Sequence, residues 1–310
     1  MEKIRVIVYG LGTIGSSIAK SILKNEYLEL IGVIDNDKEK LNKDIGELIG
    51  VNKLGISVSD ESILSNKADI VLHSTSSSLN EIKNQLIKII ESGSNVISTC
   101  EELSFPINDN IKIAKELDEL AKKYNVTIIG SGVNPGFVLD SLIIFLTTGC
   151  QEVTEIKASR IVDISKRRIQ LQRKVGIGLT IDEFNRLLKD KKIGHVGLKE
   201  SAAMIASIFG INGKNKERIK PIIKDNKVIG IKQSVKIKKF ISLSLQMYVG
   251  AKQKDIILIK GNPSINLVIK DGIQGDTATT AIVLNLIPKI VNYKEKGLIS
   301  MKDLIPHYKF

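Results

Sequence analysis

The chain has 310 residues, 43% of them hydrophobic, a length and composition that suit two domains with a core each. Lys, Asn, Asp or Glu interrupts each hydrophobic run before it could cross a bilayer, so no membrane partner is expected. The charge of +12 comes from lysines spread through both halves with only 4% aromatic residues, which argues against a nucleic-acid partner.

Ile4–Tyr9 reads as the first strand, with no apolar leader before it, and a cytoplasmic location is expected. GLGTIG, Gly10 to Gly15, follows at once and opens a helix over Ile14–Lys24. Gly10 permits the tight turn, Gly12 lets backbone approach a pyrophosphate, and Gly15 lets helix and strand pack closely. The first helical amides, at Thr13 and Ile14, then face the phosphates. A second strand, Leu28–Ile34, ends at Asp35, near where an acid binds the ribose hydroxyls. A glycine-rich turn in some other α/β protein is the competing reading, and the strand–turn–helix–strand–acid order weighs against it. Asp35 favours NAD because a carboxylate repels a 2′-phosphate, while Asn36 and Lys38 beside it leave NADP open.

Another helix is expected over Lys38–Ile49, with Ile45, Leu48 and Ile49 on one side. Strands at Ile70–His73, Asn95–Ser98 and Thr127–Gly130 then alternate with helices at Asn80–Ser92 and Asn110–Tyr124. That alternation predicts a parallel sheet covered by helices, a Rossmann dinucleotide-binding domain over residues 1–134. Ligands of such sheets bind beyond the carboxyl ends of the strands. In the first loop there, Ser74, Thr75 and Ser76 are expected to touch cofactor, and Ser77 and Ser78 to cap a helix. In the second, Thr99 is a cofactor candidate, and Glu101 and Glu102 are candidates to hold an ammonium group or take its proton. A solvated acidic turn competes for either acid taken alone, and Cys100 reads as a small buried residue rather than a nucleophile. In the third, Asn134 is expected to present its amide to nicotinamide or substrate. Asp140 either faces ligand or supplies a first-turn charge to a helix.

Asn134-Pro135-Gly136 is a turn signal, and an apolar helix, Phe137–Leu146, follows it. Alternating runs at Glu152–Ile164, Val228–Ile241, Leu243–Val249, Ile256–Lys260 and Ile265–Lys270 predict a mixed or antiparallel sheet with one buried face. Helices at Thr180–Leu188 and Leu198–Ile208 interrupt it. Residues 135–274 are therefore expected to form an α+β domain for substrate and oligomerisation. A last helix, Asp276–Val291, and the rest of 275–310 are expected to return to the first domain. The basic run holding Arg168 and Lys174 feeds Gly176 and Gly178 just before a helix. Charged donors and loop amides there suit a carboxylate, and a solvated basic connection suits the pattern equally. His195, in a loop between Gly194 and Gly197, is either structural or reaches substrate. Cys100 and Cys150 stand far apart and the histidines are scattered, so neither a disulfide framework nor a metal site is expected.

Five stretches together carry a resemblance. GLGTIG, STCEELSFP (Ser98–Pro106), GSGVNPGFVLD (Gly130–Asp140), GHVGLKES (Gly194–Ser201) and GDTATTAIVLNLIP (Gly275–Pro288) resemble the 2,4-diaminopentanoate dehydrogenase family over nearly the whole chain. That family is related in organisation to dihydrodipicolinate reductase. The resemblance implies NAD- or NADP-dependent oxidative deamination in ornithine breakdown. The 4-amino group of 2,4-diaminopentanoate leaves as ammonia, giving 2-amino-4-oxopentanoate. It also implies a homodimer through the second domain's sheet. On this reading Lys174, Arg168 and the Gly176–Gly178 loop take the carboxylate, and Glu101, Glu102 and Asp140 hold the ammonium groups. The reductases' paired histidines are absent from Arg167–Thr180, RRIQLQRKVGIGLT, so dihydrodipicolinate reduction is not expected. A dehydrogenase of another amino acid and a noncatalytic NAD-binding sensor remain open.

Overall fold

The computed structural model describes residues 2–213 and 215–309; Met1, Lys214 and Phe310 lie outside the described residues. Two compact units emerge. One takes the chain up to Val133 together with Gly275–Met301, the other Asn134–Gln274 together with the chain from Lys302 on.

In the first unit β1 (Ile4–Tyr9) runs into α1 (Thr13–Ile22), which buries Gly15, Ile18, Ala19 and Ile22, the spacing of one helical face. After β2 (Leu28–Ile34) the expected helix over Lys38–Ile49 is not formed; only α2 (Ile45–Ile49) is helical. Local bonds defeat the rest. Asn42 adopts φ 63°, and the Asp44 carboxylate accepts the Gly46 and Gly55 amides, both at 2.7 Å, so the backbone turns instead of winding. Then come β3 (Val58–Ser59), β4 (Ile70–His73), α3 (Leu79–Glu91), β5 (Asn95–Ser98), α4 (Asn110–Lys123) and β6 (Thr127–Gly130). α3 turns Leu79, Ile82, Leu86, Ile89 and Ile90 into the core.

In the second unit Asp140 caps α5 (Ser141–Leu146), so residues 137–140 form a turn rather than the start of the apolar helix. β7 (Glu152–Asp163) is followed by α6 (Ile169–Lys174), α7 (Ile181–Lys189) and α8 (Leu198–Ile208). α6 lies where the sequence reads as a basic connection. β8 (Lys216–Lys224), β9 (Lys227–Ile237), β10 (Ile241–Tyr248), β11 (Lys254–Asn262) and β12 (Ile265–Lys270) complete a sheet of order β12-β11-β7-β10-β9-β8. β7 and β10 pair parallel and the other neighbours antiparallel, which makes the sheet mixed. The expected run Val228–Ile241 breaks at Lys238, whose φ of 51° turns the chain between β9 and β10. β8 escapes sequence reading because Pro221 interrupts it, a residue tolerated on the edge strand that β8 is.

α9 (Gly275–Val291) and β13 (Gly297–Ile299) belong to the first unit. Thr280 on α9 donates to Ser17 Oγ on α1 at 3.0 Å, and β13 pairs with β6. The first sheet has the order β13-β6-β5-β4-β1-β2-β3 with parallel neighbours throughout, so this unit is a Rossmann fold. From Lys302 on the chain packs with the second unit rather than the first. Thr148 donates to the Pro306 carbonyl at 3.0 Å, and the Tyr308 ring stacks on Phe209.

Candidate active site

The glycine turn closes where β1 ends. Gly10 takes φ 93°, and a Cβ there would lie 2.7 Å from the Ser74 carbonyl oxygen. A Cβ at Gly15 would lie 1.7 Å from the Gly10 carbonyl oxygen, whereas one at Gly12 would meet nothing within 4 Å. Gly10 and Gly15 therefore serve internal packing, and Gly12 leaves room for something outside the chain. α1 has no side-chain cap and no acid in its first turn, so its positive end and its Thr13 and Ile14 amides remain for an anion. A dinucleotide's pyrophosphate fits this cradle.

Beside it lies a cleft of about 260 Å³, lined among others by Gly12, Asp35, Asn36, Lys40, Thr75 and Gln85. Asp35 accepts the Leu11 amide at 2.7 Å and the Asp37 amide at 2.9 Å, and pairs with Lys40 at 3.1 Å. Burial would raise its carboxyl, but those amides and Lys40 outweigh burial and hold it below the usual range. Ser74 donates to the Gly10 carbonyl at 3.1 Å and so braces the glycine turn. Thr75 donates to Gln85 at 2.7 Å, while Ser76 is spent on Glu81 in the first turn of α3. Beneath them His73 is fully buried between Ser98 Oγ at 2.9 Å and Gln85 Oε1 at 2.8 Å, and burial pushes it down to about 4. The Thr99 amide bonds the His73 carbonyl at 2.9 Å and ties this loop to β4.

At the end of β5 the two acids part company. Glu102 Oε2 accepts the Leu79 amide at 2.8 Å and thereby caps α3. Glu101 lies half-buried on the same turn, at the start of the short helical stretch that follows β5. Cys100 donates to the Ser77 carbonyl and burial raises it to about 12, so it is a thiol and not a nucleophile.

In the second unit the expected ammonium contact at Asp140 is not borne out. Its carboxylate is fully buried and accepts from the Gly136 amide at 2.8 Å, the Ser141 amide at 2.5 Å and Ser201 Oγ at 2.7 Å. Burial still raises its carboxyl, and it acts as a tie between α5 and α8. The expected anion trap of loop amides also fails. Gly178 bonds the Val228 carbonyl at 2.8 Å, Gly176 bonds the Arg173 carbonyl at 3.0 Å, and a Thr180–Glu183 capping box closes the start of α7.

Positive charges lie near His195 in this unit. The Gly194 amide bonds the Lys174 carbonyl at 3.0 Å, which sets the His195 loop against the end of α6. Gln233 pins that loop by accepting the His195 amide and donating to its carbonyl, both at 2.8 Å. Burial, and after it the charges of Lys174, Arg160 and Arg167, push His195 down to about 3, and its buried Nδ1 has no hydrogen-bond partner among the described residues. Arg160 heads the basic stretch that runs on through Arg168 and Lys174. It pairs with Asp255 at 3.3 Å deep in the unit and also donates to the Ile273 carbonyl. Arg168 stands at the N-cap of α6. Asn134 is buried, and neither polar atom of its side chain has a hydrogen-bond partner among the described residues. No group of three or more metal-binding side chains occurs among the described residues.

The family model for the 2,4-diaminopentanoate dehydrogenase C-terminal domain matches residues 137–240 and 244–308. A 2,4-diaminopentanoate dehydrogenase from Acetoanaerobium sticklandii is 32% identical over 98% of this chain and 94% of its own. The chain belongs to the 2,4-diaminopentanoate dehydrogenase family. The model for the dihydrodipicolinate reductase N-terminus matches residues 4–129. A 4-hydroxy-tetrahydrodipicolinate reductase from Prochlorococcus marinus is 38% identical over 19% of this chain and 22% of its own. Among solved structures, an amine dehydrogenase from Mycobacterium smegmatis superposes with a TM-score of 0.86 at 21% identity, covering 99% of this chain and 97% of that one. A dipicolinate-bound dihydrodipicolinate reductase from Paenisporosarcina sp. TG-14 gives 0.57 at 14% identity, covering 98% and 100%. These two likenesses establish the fold. The reductase family model thus matches the dinucleotide-binding half, and the 2,4-diaminopentanoate dehydrogenase model the second half.

Proposed function

We propose that this family member catalyses oxidative deamination of 2,4-diaminopentanoate to 2-amino-4-oxopentanoate and ammonia, with NAD or NADP as oxidant. The reading is carried by one pairing: the open seat at Gly12 above an uncapped helix in a chain whose full length matches the Acetoanaerobium sticklandii dehydrogenase. The nicotinamide supplies a hydride acceptor for C4 of the diamine, and water then releases the amine nitrogen as ammonia. Gly10, Gly12, Thr13, Ile14, Gly15, Asp35, Ser74 and Thr75 hold the dinucleotide. Glu101 takes the proton that must leave the 4-ammonium before its carbon gives up hydride. Lys174, with Arg167, Arg168 and the neutral His195, receives the carboxylate, and the Asn134 amide contacts nicotinamide or substrate. The reading extends to a cytoplasmic homodimer acting in ornithine breakdown. Two buried thiols suit a reducing compartment, and exposed Leu258 and Val268 on the second sheet suit an interface. Mass-spectrometric identification of the product formed by the purified protein tests the reaction. A 4-oxo acid with the 2-amino group retained supports it, and loss of the 2-amino group instead contradicts it.

A further inference from the structure

Resting on the dinucleotide reading above, we propose that Lys40 decides whether a 2′-phosphate is accepted and that Asp37 restrains it. The cation lining the cleft is Lys40, not the Lys38 that stands next to the acid in sequence. Its ammonium donates to Asp35 Oδ2 at 3.1 Å and lies in an ion pair 3.5 Å from Asp37 Oδ2, so its three N–H donors are not exhausted by hydrogen bonds among the described residues. Asp35 Oδ2 is already filled by the Leu11 amide and Lys40, and Oδ1 holds the Asp37 amide.

Two ligands would use this arrangement differently. A ribose 2′-hydroxyl needs an acceptor, and Asp35 retains a lone pair on Oδ1 for it. A 2′-phosphate needs a cation and is repelled by the two carboxylates. Lys40 meets that need by sharing its charge outward, and its side chain is 28% exposed, enough to turn toward an incoming phosphate. Asp37 works against this. Its side chain is 44% exposed, accepts the Glu39 amide at 3.0 Å rather than an amide of the glycine turn, and lies 3.5 Å from the Lys40 ammonium.

The test uses the whole chain and two fragments that differ only by the phosphate, 2′,5′-ADP and 5′-AMP, titrated calorimetrically. Wild type binds both. Lys40→Ala lowers the ratio of 2′,5′-ADP to 5′-AMP affinity about tenfold, the worth of one charge-assisted hydrogen bond. Lys40→Arg keeps the ratio near wild type, and Asp37→Asn raises it severalfold. Opposite movement in two variants separates the effect from loss of folding. A ratio unmoved by Lys40→Ala, or a wild type that binds 5′-AMP but not 2′,5′-ADP, overturns the assignment and leaves the dinucleotide reading standing. A folded wild type that binds neither fragment overturns both.

Discussion

Gly12→Asp should make the ligand-free protein more stable and the cofactor bind far worse. Gly12 already occupies the N-cap of α1 with φ −82° and ψ −164°, a conformation open to any residue, and a Cβ there meets nothing within 4 Å. An aspartate at an uncapped helix start bonds free amides and faces the positive end of the helix, together about 0.5–1 kcal/mol of added stability. The same carboxylate would stand in the pyrophosphate seat. Two unit charges roughly 5 Å apart at an effective dielectric near 20 repel by about 3 kcal/mol, or about a hundredfold in affinity. Gly15→Ala is the contrasting case, since its methyl would sit 1.7 Å from a backbone oxygen that has no flexible end to yield. It should cost about 1–3 kcal/mol of stability before any ligand is added. Thermal unfolding without ligand and calorimetric titration with NADH measure the two quantities. Gly12→Asp binding NADH as wild type does, or losing stability as Gly15→Ala does, refutes the reasoning.

Glu101→Gln should lower turnover by about a hundredfold or more, whereas Glu102→Gln should chiefly cost about 1–2 kcal/mol of stability by loosening the Leu79 cap. Steady-state rates and urea midpoints on both variants check this, and equal rate losses would contradict the division. His73 titrates near 6.5 when unfolded and is pushed down to about 4 by burial when folded. Its contribution, up to about 3 kcal/mol, is therefore complete above the unfolded value and is lost as pH falls from there toward 4. His73→Gln should flatten the loss of urea stability between about pH 7 and pH 5, and an unchanged slope counts against the buried neutral imidazole. Arg160→Met strands Asp255 in the second unit and should cost about 3–5 kcal/mol in denaturant unfolding. A change within a few tenths would show that the pair is not desolvated.

How legible the protein is in its sequence depends on where each group finds its partner. The first five major strands of the Rossmann sheet stand where the apolar runs place them, because parallel strands buried on both faces read as unbroken hydrophobic segments. The glycine turn is equally legible, since strand, turn and helix are consecutive. β13 is not. It is three residues long and acquires its identity by pairing with β6, far earlier in the chain. The site shows the same divide. Glu101 and Glu102 are indistinguishable as sequence neighbours, and only the Leu79 amide, 23 residues away, assigns Glu102 to a helix cap. Asp140 looks available until Ser201, 61 residues on, closes over it. The Gly176–Gly178 loop resembles an anion trap until the Val228 carbonyl takes the Gly178 amide. Composition and spacing report which groups are present, and tertiary hydrogen bonds decide which of them are already spent.

Absorbance at the reduced-nicotinamide band, on mixing the purified protein with 2,4-diaminopentanoate and either NAD⁺ or NADP⁺, reads the hydride transfer itself. That band should grow with one ammonia released per reduced cofactor, and the growth should be lost in Gly12→Asp. Calorimetrically tight cofactor binding with no growth of the band on the diamine would contradict the proposed reaction.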